Sequence, residues 1–139
     1  MTDKGAIYDP LRKRLVPRTP EEEVRQWFIS VLGKEAGVPL HMMMSEVAMS
    51  VVTPSGTKPY RADILVYSRQ GNPLMVVECK RPSVKLSGAT AQQALRYATI
   101  LGVRYVALTN GTVSRMFELR GGKSTGLDTL PDYDAMNLV

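Results

Sequence analysis

The chain has 139 residues, 44% of them hydrophobic and 22% charged, which allows one compact domain and leaves too little for a second core. One cysteine and one histidine exclude an intrachain disulfide framework, a Cys-rich zinc site and a multi-His metal site. No run approaches the ~20 apolar residues of a membrane span, and the N-terminus lacks a signal peptide's apolar core, so a soluble cytoplasmic protein is expected. The net charge of +5 is unevenly spread. From Cys79 to Phe117 the chain carries Lys80, Arg81, Lys85, Arg96, Arg104 and Arg115 and no acid, and the first twenty residues hold Lys4, Arg12, Lys13, Arg14 and Arg18 against Asp3 and Asp9. Such blocks favour a polyanionic partner, because each neutralised phosphate releases counterions; the plainer alternative is a solvated basic surface.

Residues 1–18 mix Gly, Pro and basic residues and read as an arm docking on the domain. Thr19-Pro20-Glu21-Glu22 then supplies an N-cap hydroxyl, a proline at the first helical position and a glutamate to complete a capping box. A helix is predicted from there, with Val24, Trp27, Phe28, Val31 and Leu32 on its apolar face and an end between Gly33 and Pro39. Ser45 to Thr53 alternates as a strand, with Val47, Met49 and Val51 on one side, and Pro54, Ser55, Gly56 and Pro59 mark a turn. Arg61 to Tyr67 and Leu74 to Cys79 are nearly continuous apolar runs, as expected of interior strands buried on both faces, and the short link between them suits a hairpin.

After Pro82 the period changes. Ala91, Ala94, Leu95, Ala98 and Leu101 make a narrow apolar stripe on a helix predicted from about Ser87 to Leu101, stopped by Gly102. Arg104 to Thr109 is a predicted strand, Asn110-Gly111 a tight turn, and Thr112 to Leu119 its hairpin partner. Residues 121–139 have low apolar density and are expected to form a mobile tail. The predicted order gives an α/β fold, a mixed β-sheet flanked by helices, with the domain proper at 19–120.

Two interior strands contain charges that a hydrophobic core rejects: Asp63 in one, and Glu78 with Lys80 at the end of the other. If the hairpin turns between Gln70 and Gly71, position 63 falls opposite position 78, about 5 Å away at Cα. Two carboxylates at that distance repel unless a cation lies between them, and oxygen ligands in a partly solvated site suit Mg²⁺. Lys80 shares the sheet face of Glu78 by the period of two, and its ammonium could orient a water and stabilise charge building on a phosphate. A salt-bridge network without catalysis is the alternative for these three residues. Cys79 reads as a small packed hydrophobe, Trp27 as core, and His41, beside Met42, Met43 and Met44, is assigned no role.

Asp63, fourteen residues, then Glu78-Cys79-Lys80 resembles the PD-(D/E)xK nuclease signature. The longer series Ile7 to Lys13, Thr19 to Gln26, Arg61 to Tyr67, Val77 to Pro82, Gln93 to Tyr97 and Leu108 to Gly111 is similar to the N-terminal nuclease domain of the type I restriction enzyme R subunit. The resemblance implies a restriction-endonuclease-like fold and Mg²⁺-dependent hydrolysis of DNA phosphodiester bonds, with Mn²⁺ as a substitute. It implies Asp63, Glu78 and the Cys79 backbone carbonyl as metal ligands and Lys80 as the catalytic lysine. Gln93 and Tyr97 match a Gln-x-x-x-Tyr element whose amide and phenol would contact DNA or groups around the metal. Glu22 matches a first-helix glutamate near the metal in relatives.

Arg81, Lys85 and Arg96 are the candidates to hold the DNA backbone. Motor, specificity and methylation subunits or domains of a restriction complex are the implied partners. Two departures stand out: Ala62 occupies the slot of the motif's proline, and no Walker-type motif is present, so an excised domain or a small stand-alone relative is expected. A non-cleaving DNA-binding or assembly module that retains the nuclease fold is the alternative function.

Overall fold

A computed structural model describes residues 5–138. Asp3 and Lys4, counted in the N-terminal charge block, lie outside the described residues. The chain opens with a small antiparallel hairpin, β1 (Ala6–Asp9) and β2 (Arg14–Pro17), followed by helix α1 (Pro20–Ala36). A 3₁₀ turn (Leu40–Met42) leads into β3 (Met43–Thr53), β4 (Gly56–Tyr67) and β5 (Pro73–Cys79). Helix α2 (Gly88–Leu101), strands β6 (Tyr105–Thr109), β7 (Ser114–Arg120) and β8 (Lys123–Leu127), and a short helix α3 (Tyr133–Met136) complete the order. The main sheet runs β3-β4-β5-β6-β7-β8 and is mixed: β5 and β6 are parallel, joined by α2 as the crossover, and the other neighbours are antiparallel. No helix among the described residues is long and apolar enough to cross a membrane.

Local signals set the helix ends. The Thr19 hydroxyl accepts the Glu22 N–H at 3.0 Å, which is one half of the predicted capping box. The other half does not form, because the Glu22 carboxylate is engaged elsewhere and the Thr19 N–H donates to the Pro17 carbonyl. Ser87 caps α2 through the Thr90 N–H, and Gly102 ends it in the left-handed region at φ 73°, where a side chain would be strained.

The sheet is buried on both sides, which explains the unbroken apolar runs of β4 and β5. Phe28, Ile29 and Leu32 of α1 pack on Ile64, Val66, Met75, Val77 and Ala107. Ala94 and Ala98 of α2 pack on Leu65, Val76 and Val106, the small residues letting the helix lie close to the strands. Trp27, predicted as core, is instead 44% exposed, because the buried stripe of α1 runs through Arg25, Phe28, Ile29, Leu32 and Ala36 and places position 27 on its flank.

The segment predicted as a mobile tail forms an edge strand and a helix. β8 pairs with β7, and Tyr133 and Met136 are buried under the α1 face, where the Tyr133 hydroxyl donates to the Tyr67 carbonyl at 2.6 Å. Two well-placed apolar side chains dock this segment despite its polar composition. The described part of the predicted arm likewise folds as a hairpin, residues 6–17, against α1, with Asp9 fully buried.

One irregularity positions the site. Tyr60 and Ala62 of β4 pack on the α2 side, whereas Ile64 and Val66 pack on the α1 side, although alternate residues of a regular strand share a face. The strand therefore rotates at Asp63. On β3 the same change falls at Glu46, a non-glycine residue at φ 53°, and the register passes from Ser45 opposite Ile64 to Val47 opposite Ala62 with no recorded pair between them. Backbone in the left-handed region costs of order 1–3 kcal/mol for such a residue and persists only where the surroundings hold it. Beyond the kink, β3 and β4 continue as a two-stranded ribbon to the turn at Pro54.

Candidate active site

β4 and β5 pair with Ile64 opposite Val77, Leu65 opposite Val76 and Val66 opposite Met75, the register expected near the site, and a shift by one puts Tyr67 opposite Pro73 at the turn. The ladder stops at Ile64 and Val77, so Asp63 and Glu78 each stand one residue past the last rung. They are not a paired rung themselves, because the kink turns β4 away. The Asp63 carboxylate fills the gap: its Oδ2 accepts the Cys79 backbone N–H at 2.7 Å, a bond that the next carbonyl of a regular ladder would make.

Asp63 is poorly solvated. Burial is the main effect that pushes its acid up, to about 6, and the charges of Glu21 and Glu78 add to it. The Cys79 N–H and the guanidinium of Arg25 act in the opposite direction. Arg25 is buried on α1, with Nη2 3.8 Å from Asp63 Oδ1 and Nη1 donating to the Asp63 carbonyl at 3.4 Å.

Glu78 follows Val76 on the α2 side of β5 at the period of two, and Lys80 lies just past the end of the strand. Glu78 is half-buried, and its Oε1 accepts the Tyr60 hydroxyl at 2.9 Å. The Tyr60 ring stacks on Tyr97 of α2, with centroids 5.0 Å apart and planes 24° from parallel. Burial above all, and then the Glu78 charge, pushes the Tyr60 phenol far above its ordinary range, so it remains a donor. The Lys80 N–H donates to the Thr109 carbonyl at 2.8 Å, tying the end of β5 to β6, and its side chain makes no ion pair among the described residues. Burial likewise pushes the Cys79 thiol far up, as suits a packed, unreactive side chain.

The remaining predicted residues lie around this centre. Arg81 and Lys85 are exposed on the loop after β5, and Gln93 and Arg96 are exposed on α2. Asn110 anchors that loop by donating to the Val84 carbonyl at 2.8 Å, while its Oδ1 accepts the N–H groups of Thr112 and Val113 in the β6–β7 turn. Arg25, Glu46, Thr19, Pro20, Glu21 and Arg81 line a cleft of about 380 Å³ beside Asp63.

Glu22 does not touch Asp63 or Glu78. Its carboxylate accepts Arg12 at 2.7 Å and Gln26 at 3.0 Å and lies 3.3 Å from Arg25, so it reaches Asp63 only through Arg25. Arg12 also pairs with Asp9 and stands 3.5 Å from Glu46, which in turn lies 3.2 Å from Arg25. Arg25 and Tyr60 are the contacts missed from sequence. A charge on the buried stripe of α1 was a usable signal for Arg25, whereas Tyr60, next to Pro59, was absorbed into a predicted turn.

No curated protein matches the chain. Among solved structures, it is similar to a fragment assigned to the HsdR subunit of a type I restriction enzyme from Vibrio vulnificus YJ016, with 25% identity and a TM-score of 0.61. The match covers 84% of this chain and 24% of that one. The family model for the type I restriction enzyme R protein N terminus matches residues 20–131, from the first turn of α1 to just before α3. The chain belongs to the type I restriction enzyme R protein N-terminal family.

Proposed function

We propose that this chain is an Mg²⁺-dependent DNA endonuclease domain of R-subunit type, hydrolysing phosphodiester bonds. The observation that carries the reading is that Asp63 and Glu78 flank the kink where the β4–β5 ladder opens, close enough for the Glu78 charge to act on the Asp63 acid, with Lys80 two residues further on.

The donor set fits the ion. Mg²⁺ binds through one or two carboxylates and keeps several waters, so Asp63, Glu78 and the Cys79 backbone carbonyl would suffice. Asp63 is held towards its neutral form by burial and nearby acids, and a cation relieves both. Glu78 Oε2 takes no hydrogen bond among the described residues and is available. When bound, the ion would act as a Lewis acid and activate a water at neutral pH.

Lys80, two residues beyond Glu78, makes no ion pair among the described residues. There it would orient the attacking water and offset charge developing on the phosphate. Arg81, Lys85 and Arg96 would hold flanking phosphates without reading sequence. Gln93 would join them from α2, and Glu22 would act through Arg25. Delivery of DNA would fall to motor, specificity and methylation subunits or domains of a restriction complex, in keeping with the family match.

A non-cleaving DNA-binding or assembly module is the second reading, favoured by Arg25, which already sets a cation 3.8 Å from Asp63. Nicking of supercoiled plasmid separates the two. The nuclease reading expects relaxation with Mg²⁺ or Mn²⁺ and none with EDTA or in Asp63→Ala. Equal cutting by the wild type and Asp63→Ala overturns it, and DNA binding with no metal-dependent nicking selects the second reading.

A further inference from the structure

We infer that Tyr60 is a positioning residue that fixes the Glu78 carboxylate, and that Tyr97 acts on the site through Tyr60. The inference rests on the reading of Glu78 as a metal ligand and deepens it.

A glutamate at the end of a strand has three rotatable bonds, and a ligand oxygen must be held in place to be useful. The Tyr60 hydroxyl, 2.9 Å from Oε1, occupies one oxygen and leaves Oε2 as the free one. Tyr60 is well placed for this task. It is only 8% exposed, and it lies on the ribbon side of the kink at Asp63, so its bond to Glu78 bridges the two halves of the distorted region. Its ring is fixed in turn by the stack on Tyr97.

Among the described residues the Tyr97 hydroxyl takes part in no hydrogen bond. What Tyr97 gives the site is therefore its ring. The expectation drawn from the Gln-x-x-x-Tyr element concerned contacts of the amide and phenol with DNA or groups around the metal, and the stack is a further contact of the same residue. Tyr60 has no counterpart in that element.

The experiment measures Mn²⁺ binding to the full chain by the loss of the free-ion paramagnetic resonance signal, with no DNA present. It compares the wild type with Tyr60→Phe, Tyr97→Phe, Tyr97→Ala and Glu78→Gln, and thermal melts run in parallel. Tyr60→Phe keeps the stack and loses the hydroxyl, so it should bind Mn²⁺ about tenfold more weakly, the usual cost of removing a group that orients a metal ligand. Its melting temperature should stay near that of the wild type. Tyr97→Ala should weaken binding similarly, and Tyr97→Phe should bind with nearly the wild-type affinity.

Binding by Tyr60→Phe that equals or exceeds the wild type overturns the inference. So does a loss in Tyr97→Phe as large as in Tyr97→Ala. If the wild type and Glu78→Gln bind Mn²⁺ alike, the assignment of Glu78 as a ligand is what fails.

Discussion

At Asp63 the protein keeps a carboxylate where burial and the neighbouring charges of Glu21 and Glu78 favour the neutral acid, and its titration moves up to about 6. The folded state binds this proton more tightly than the unfolded chain, whose aspartates titrate near 3.8. Stability from this group is therefore fully present below about 4 and is lost as pH rises through about 6. Above that, the ionised carboxylate costs the metal-free fold about 1–3 kcal/mol. Asp63→Asn should accordingly melt about 3–10 °C above the wild type in EDTA at pH 7.5, and the gap should narrow as pH falls from about 6 to 4. An asparagine variant that melts lower at pH 7.5 contradicts this account. With Mg²⁺ present the order should reverse, because the ion stabilises only the chain that binds it. Asp63, Glu78 and Lys80 stood out as candidates in the sequence because charges inside apolar runs demand a reason. Arg25 and Tyr60 were not read, because their roles depend on which elements the fold brings together.

The hairpin of β1 and β2 is tied to helix α1 by a chain of charges, with Leu11 packed on the core beside it. Arg12 links the buried Asp9 to Glu22, and Arg25 continues the chain to Glu46 and Asp63. Burial by itself would raise the Asp9 acid, but the bonds from Arg12 and the Leu11 N–H hold it below its ordinary value. Removing the cation leaves the fully buried Asp9 carboxylate without an ion pair among the described residues and takes one of two cations from Glu22, which typically costs about 3 kcal/mol or more. Arg12→Ala should lower the melting temperature by roughly 10 °C. It should also speed amide exchange across residues 6–17 ahead of β5 and β6, because the arm opens before the core. An unchanged melting temperature with unchanged exchange would show that the arm is held by other contacts. Elements with strong local signals were legible: the limits of α2, the outward and inward sides of β3, and the β4–β5 register follow from capping, period and turn chemistry. The rotation at Glu46 and Asp63 was not, because a strand that changes face between positions 62 and 64 still reads as an unbroken alternation. The docking of residues 121–138 escaped for a related reason, since it depends on Tyr133 and Met136 finding the α1 side of the sheet.

Over the whole molecule the charge is divided. Acids gather at the kink and along the start of α1, and exposed bases occupy the acid-free stretch after Cys79. Arg81 lines the cleft beside Asp63, and Lys85 and Arg96 are exposed further along the same acid-free stretch. DNA affinity measured in EDTA should fall steeply with salt, and replacing these three bases by alanine should reduce the log–log slope by roughly 2–3, about 0.9 per lost phosphate contact. A slope unchanged by the triple replacement would place the DNA on another face. The match to the HsdR fragment covers 24% of that chain.

The proposal depends on one cation held jointly by the two carboxylates that flank the opened ladder. An anomalous-difference map from crystals soaked in Mn²⁺ addresses this most directly. The account predicts a single strong peak about 2.1 Å from an oxygen of Asp63 and from Oε2 of Glu78, with Tyr60 still bonded to Oε1. A soaked crystal with no peak there, or with Mn²⁺ bound by neither carboxylate, would contradict it.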